Sequence, residues 1–79
     1  MKSHPVQVEC YSGSRADERP RRITIDGREY VVAKLLGEWI EGSNDSTDHI
    51  RRFRVLTEDG IEIELWRTSE GAWYLESLR

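Results

Sequence analysis

The sequence predicts an all-β domain: a small antiparallel barrel or strongly curled sheet of five to six strands, SH3-like or OB-like. Three observations carry this. Short runs alternate apolar and polar residues, Asp26-Gly27, Asp59-Gly60 and Glu70-Gly71 punctuate them, and no 3.6-residue apolar stripe runs long enough for a helix. With 79 residues there is room for one domain, which buries roughly 60 percent of its extended surface on folding. Three Trp, three Tyr and one Phe enlarge an otherwise thin core.

Residues 6–11 alternate, with Val6 and Val8 on one side, and residues 12–20 form a polar connection containing Gly13 and Pro20. Residues 22–25 alternate again and meet Asp26-Gly27, a strong signal for a two-residue hairpin turn. That turn sets Ile23 opposite Tyr30 and Thr24 opposite Glu29, separating apolar pairs from polar ones. A long strand follows to Ile40. Its alternation breaks at Leu35 and Leu36, which predicts a bulge or sharp bend near Gly37, with a short helical turn at residues 33–36 as the competing reading. Residues 41–48 are too rich in Ser, Asn, Asp and Gly for a regular element.

The last thirty residues fix their own register. Phe53, Val55 and Thr57 share one strand face, and Ile61, Ile63 and Leu65 share one face of the next. A two-residue Asp59-Gly60 turn would oppose Val55 to Glu64 and mix core with solvent. A three-residue loop, Glu58-Asp59-Gly60, instead pairs Val55 with Ile63, Phe53 with Leu65 and Arg54 with Glu64, with Gly60 left-handed. The same loop type at Ser69-Glu70-Gly71 sets Leu65 opposite Leu75 and Arg67 opposite Trp73.

These registers also fix the opposite face. Arg52, Trp66 and Tyr74 fall into one row across three strands, with Arg54, Glu64 and Glu76 beside it. An aromatic pair next to Arg resembles the stacking platforms of single-stranded nucleic-acid binders, and equally the Trp, Tyr and Arg anchors of protein interfaces. Arg52 over Trp66 would form a cation–π pair. The alternative is that the amino-terminal strand or the 12–22 connection covers Trp66 and Tyr74 as a second layer of core.

Charge weighs between the two partners. The net charge is −3. Arg15, Arg19, Arg21, Arg22 and Arg28 make a locally basic connection, and Arg51, Arg52 and Arg54 a second basic run. Glu62, Glu64 and Glu76 oppose phosphate on the aromatic face, so a protein partner is preferred and nucleic acid is second. Ten of the twelve basic residues are Arg, which suits bidentate pairing with carboxylates across strands.

Other classes find little support. The single Cys10 excludes a disulfide scaffold, and no apolar run is long enough for a signal peptide or a membrane span, so a cytoplasmic location without membrane association is expected. No His or Cys spacing matches a metal site, no Gly-rich phosphate loop occurs, and no nucleophile stands beside a base in a known pattern. The expectation is a non-enzymatic domain without a cofactor, its oligomeric state open.

Glu9-Cys10-Tyr11-Ser12-Gly13, Glu18-Arg19-Pro20, Arg52-Phe53-Arg54-Val55, Glu58-Asp59-Gly60 and Gly71-Ala72-Trp73-Tyr74-Leu75 together resemble a family of short uncharacterised bacterial cytoplasmic proteins. These join a YSG…ERP segment to a carboxy-terminal meander. From Gly37-Glu38-Trp39 onward the chain is also similar to the small carboxy-terminal domain of catalytically inactive Y-family polymerase homologues in bacterial mutagenic repair. The resemblance implies an accessory role near DNA processing, with no catalytic residues to carry over. On this reading Arg52, Trp66, Tyr74 and Arg54, with Arg15, Arg19, Arg21 and Arg22 of the connection, dock a protein partner; single-stranded nucleic acid is the alternative.

Overall fold

A computed structural model describes residues 4–10, 19–42 and 49–79. Tyr11, Ser12, Gly13, Arg15 and the 43–48 part of the polar loop lie outside the described residues. The strands are β1 (His4–Pro5), β2 (Gln7–Cys10), β3 (Pro20–Ile25), β4 (Arg28–Gly42), β5 (His49–Thr57), β6 (Glu62–Arg67) and β7 (Trp73–Leu78). They form one antiparallel sheet in the order β1-β7-β6-β5-β4-β3-β2, curled through 246° into a half-barrel. The all-β class is as expected, and the described residues form seven strands rather than five to six. The extra one arises because the amino-terminal strand is split at Val6. His4–Pro5 pairs with β7, Gln7–Cys10 pairs with β3, and the Val6 N–H donates to the Trp73 carbonyl at 3.2 Å. One short segment thereby joins both ends of the curled sheet.

The hairpins follow from their turn residues. Asp26 and Gly27 both take left-handed backbone, at φ 51° and 84°, as the two-residue loop requires, and Ile23 faces Tyr30. Gly60 sits at φ 84° after a type I turn: Thr57 N–H donates to Ile61 O at 2.9 Å and Gly60 N–H to Thr57 O at 3.0 Å. The Thr57 hydroxyl also accepts from Ile61 N–H at 3.0 Å. The register is then Val55 opposite Ile63 and Phe53 opposite Leu65, and the Ser69-Glu70-Gly71 loop sets Arg67 opposite Trp73 in the same way.

An alanine Cβ at Gly60 would meet nothing within 4 Å, so its penalty is backbone strain alone. Gly60→Ala is therefore expected to lower stability by about 1 kcal/mol, read as a lower urea midpoint at unchanged m-value.

β4 is the element that curls the sheet. Its first residues pair with β3 and its remainder with β5, and the register shifts twice, between Val32 and Lys34 and between Leu35 and Gly37. The bend expected near Gly37 is thus made by β-bulges, and residues 33–36 stay extended instead of forming a helical turn. Ile23, Ile25, Tyr30, Phe53, Val55, Ile63 and Leu65 are buried on the inner face. Val6, Val8, Val32, Leu35, Ile61, Trp73 and Leu75 pack around that core, with the Phe53 and Trp73 rings 5.1 Å apart between centroids.

Candidate functional site

The outer face of the half-barrel is built by the same registers that bury its inner face. Because successive strand residues point to opposite sides, sending Phe53, Leu65 and Leu75 inward turns Arg52, Trp66 and Tyr74 outward. The pairs are Arg52 with Trp66 and Trp66 with Tyr74, and the row expected from sequence exists. It is also longer than expected, since Trp39 of β4 lies opposite Arg52 and Pro5 of β1 opposite Tyr74. Five adjacent strands thus carry Trp39, Arg52, Trp66, Tyr74 and Pro5 in one line, about 19 Å across at the usual strand spacing.

Trp66 and Tyr74 stack, with centroids 4.5 Å apart and planes inclined by 23°. Trp39 is more open, 36 percent exposed, and the end of its ring lies 3.4 Å from the position a Cβ would take on Gly37. A side chain at Gly37 would therefore lie in van der Waals contact with the indole that continues the platform. The amino-terminal strand does not cover the row: it meets β7 edge to edge and adds Pro5 to the end of the line.

Arg52 lies between Trp39 and Trp66, its side chain 22 percent exposed. The guanidinium expected over Trp66 points instead at two carboxylates. Its Nη1 lies 3.2 Å from Glu76 Oε1, and its Nε lies 2.9 Å from Glu41 Oε1, close enough for an ion pair but without a hydrogen bond's alignment. The Trp39 indole N–H donates to the other Glu41 oxygen at 3.4 Å. Close polar contact with Arg52 holds the Glu41 carboxyl below its ordinary value, against a smaller opposing effect of desolvation. The same contact raises Arg52.

A group whose folded-state pKa is depressed contributes stability above its unfolded value and loses it as pH falls through the folded one. The Trp39 indole N–H resonance is accordingly expected to titrate with a midpoint below the ordinary glutamate range. Arg52→Gln should move that midpoint up towards the ordinary range, and an unchanged midpoint would mean that Arg52 does not set it.

Arg54 Nη2 pairs with Glu64 Oε1 at 3.6 Å on the next row. Glu76 does not join that row as expected. A bulge between Glu64 and Leu65 sets Ser77 opposite Glu64, which shifts Glu76 along β7 and leaves its carboxylate on Arg52.

The described arginines of the basic connection stand apart from this row. Arg21 and Arg22 stand on β3, both facing Glu9 of β2 at 3.8 and 3.5 Å. Arg22 pairs with Val31, eight residues along β4 from Trp39, up to about 26 Å at the ordinary strand rise. Arg19 is exposed just before β3, and Arg15 lies outside the described residues.

Sequence reasoning missed Trp39, because two bulges separate it from the β3–β4 turn where counting starts. It also missed an inner-face pair: the loop that aligns Arg52 with Trp66 necessarily aligns Arg51 with Arg67. Among the described residues no group of three His, Cys, Asp or Glu side chains gathers to hold a metal, and no helix is long and apolar enough to cross a membrane. No family model, no curated protein and no solved structure matches the chain.

Proposed function

We propose that the protein is a small non-enzymatic binding module that docks a protein partner on the row Trp39, Arg52, Trp66 and Tyr74, with a cationic and apolar segment of that partner lying across the strands. The observation that carries this reading is the stacked Trp66–Tyr74 pair in a line extended by Trp39 and ringed by Glu41, Glu64 and Glu76. Flat aromatic area surrounded by polar groups is the composition of an interface hot spot. Arg52 is already faced by two carboxylates, so the acidic rim favours Lys or Arg from a partner, whose cationic heads also gain from lying over Trp and Tyr faces. The same rim repels a phosphate backbone.

The setting implied by the resemblance to bacterial repair proteins is an accessory cytoplasmic role in DNA processing. Arg54 belongs to the rim of this surface. Arg19, Arg21 and Arg22 would serve only a partner long enough to reach β3.

The test is an amide NMR titration with two probes at low salt, an alternating Arg-Leu octapeptide and a single-stranded oligothymidylate. The peptide should give saturable shifts at Trp39, Arg52, Trp66 and Tyr74. If the DNA saturates those signals instead, with affinity falling steeply as salt rises, the surface is a nucleic-acid platform and the protein-docking reading is wrong.

A further inference from the structure

The distal part of β4 is an edge. Among the described residues β3 pairs with β4 only over residues 28–31, whereas β5 accompanies it to Gly42. Residues 38–42 are exposed on both faces of the strand, as expected where a neighbour stands on one side only. Four of the five large apolar side chains exposed among the described residues belong to this strand, Val31, Leu36, Trp39 and Ile40, with Ile40 the most open at 61 percent. Apolar area gathered along a strand edge is a template for pairing with another chain.

Edges are ordinarily guarded by Pro, Lys, bulges or inward-pointing charge. Residues 37–42 contain neither Pro nor Lys, and both bulges of β4 precede Gly37, so this stretch is regular. Its two charges are each faced by an arginine of β5: Glu38 Oε2 lies 3.9 Å from Arg51 Nη1, and Glu41 Oε1 lies 2.9 Å from Arg52 Nε. The edge is therefore close to electrically balanced, which suits a strand of the same composition better than a strongly charged one.

We propose that residues 37–41 of β4 pair antiparallel with the same residues of a second copy of this chain, forming a two-fold dimer with Trp39 opposite its own counterpart on the axis. In such an isologous pairing one residue must oppose itself. The side chains select which one. Glu38 or Glu41 on the axis would set like carboxylates face to face. Gly37 on the axis would draw the bulged residues 33–36 into the ladder, and Ile40 on the axis would leave each Trp39 against Glu41 of the second copy. With Trp39 on the axis, Glu38 lies beside Ile40 and Gly37 beside Glu41 of the second copy, no like charges meet, and an aromatic cross-strand pair is gained. The two outer rows then run end to end on the same side of one continuous sheet. The pairing uses the backbone edge and needs no docked partner, so it does not rest on the docking reading. A ladder this short buries less than a standard interface, and a dissociation constant between about 10 µM and 1 mM is expected.

The experiment measures sedimentation, amide NMR shifts and amide hydrogen exchange of the full chain across that concentration range. The mass should rise towards that of a dimer, with shifts centred on residues 37–41 and slower exchange of amides there at high concentration. Ile40→Glu, which faces Glu38 of the second copy with a like charge, should weaken association at least tenfold, whereas Ile40→Lys should preserve it. Ile40 is exposed and lies opposite Arg51, so the Glu variant is not expected to disturb folding. A monomer at every concentration overturns the proposal, as does association whose shifts lie elsewhere. Equal weakening by both Ile40 variants overturns the Trp39-centred pairing, because Ile40 would then oppose itself. If the native chain stays monomeric and the Arg-Leu peptide alone slows exchange at residues 37–41, the edge takes a partner's strand and self-pairing is wrong. Retained peptide shifts at Trp66 and Tyr74 in the monomeric Ile40→Glu variant would keep the docking reading separate from this one.

Discussion

Phe53→Ala is expected to remove most of the domain's stability, about 3 to 5 kcal/mol. Phe53 is fully buried on β5, opposite Leu65, with its ring against Trp73. It lies where the half-barrel's inner layers meet, so the strands can close on the vacancy only by giving up the curl that their bulges and turns impose. A chain of this length has a total stability of about 4 to 12 kcal/mol, so the loss is of the same order as the whole. In urea, with m near 1 kcal/mol/M, the midpoint should fall by about 3 to 5 M, or the variant should be unfolded at the start of the titration. Leu56→Ala, at an outward position of the same strand, provides the comparison and should cost far less. A loss below about 1 kcal/mol at Phe53 would mean that the inner face is not packed as described.

The turns make this packing legible in the sequence. Asp26-Gly27, Gly60 and Gly71 each demand left-handed backbone at a defined place, and a turn of known length fixes which residues oppose each other. Once Val55 must face Ile63, the outward alignment of Arg52, Trp66 and Tyr74 follows without further information. What stayed hidden has physical reasons. Each bulge in β4 changes which residue opposes β5, so the place of Trp39 depends on two local irregularities that composition does not announce. The bulge at Glu64 likewise moved Glu76 from the Arg54 row to Arg52. The split amino-terminal strand was illegible because its pairing with β7 involves only His4 and Pro5, too few residues to leave an alternation. His4 is held by contact with a distant turn, its Nε2 lying 3.1 Å from Asp26 Oδ1, a tie that follows from the closure and not from local pattern.

The basic residues were legible as a composition, but their separation from the outer row was not. Arg19, Arg21 and Arg22 are close in sequence to one another but belong to the β2–β3 side of the sheet, where Glu9 faces two of them. Exposed pairs of this kind contribute at most about 1 kcal/mol each, which makes them ordinary sheet decoration. The arginines with structural consequence are Arg51 and Arg52, adjacent in sequence and on opposite faces: one lies opposite Arg67 on the inner face and the other is enclosed between Trp39 and Trp66 in the outer row. Strand alternation alone separates their environments.

That separation gives the outer row its sharpest test. Trp66→Ala should weaken binding of the Arg-Leu probe by 30-fold or more, as expected for a hot-spot loss of about 2 kcal/mol, while lowering stability much less than Phe53→Ala does. The indole is half-buried by Tyr74 on one side and Arg52 on the other, so its removal exposes neighbours to water without opening a cavity in the core. Trp66→Phe keeps a ring for Tyr74 to stack on and should recover a large part of the affinity. Tyr74→Leu is the companion variant, preserving apolar cover while deleting the stacked partner, and should lose binding with a urea midpoint near that of the native chain. Arg52→Gln discriminates further, because it leaves Glu41 and Glu76 without their shared cation. If the partner's own cation then takes that place, binding should strengthen at low salt and weaken as salt rises; if Arg52 itself makes the contact, binding should fall at every salt concentration. Should Trp66→Ala unfold the chain as completely as Phe53→Ala, the row is a second layer of core and the docking reading fails with it.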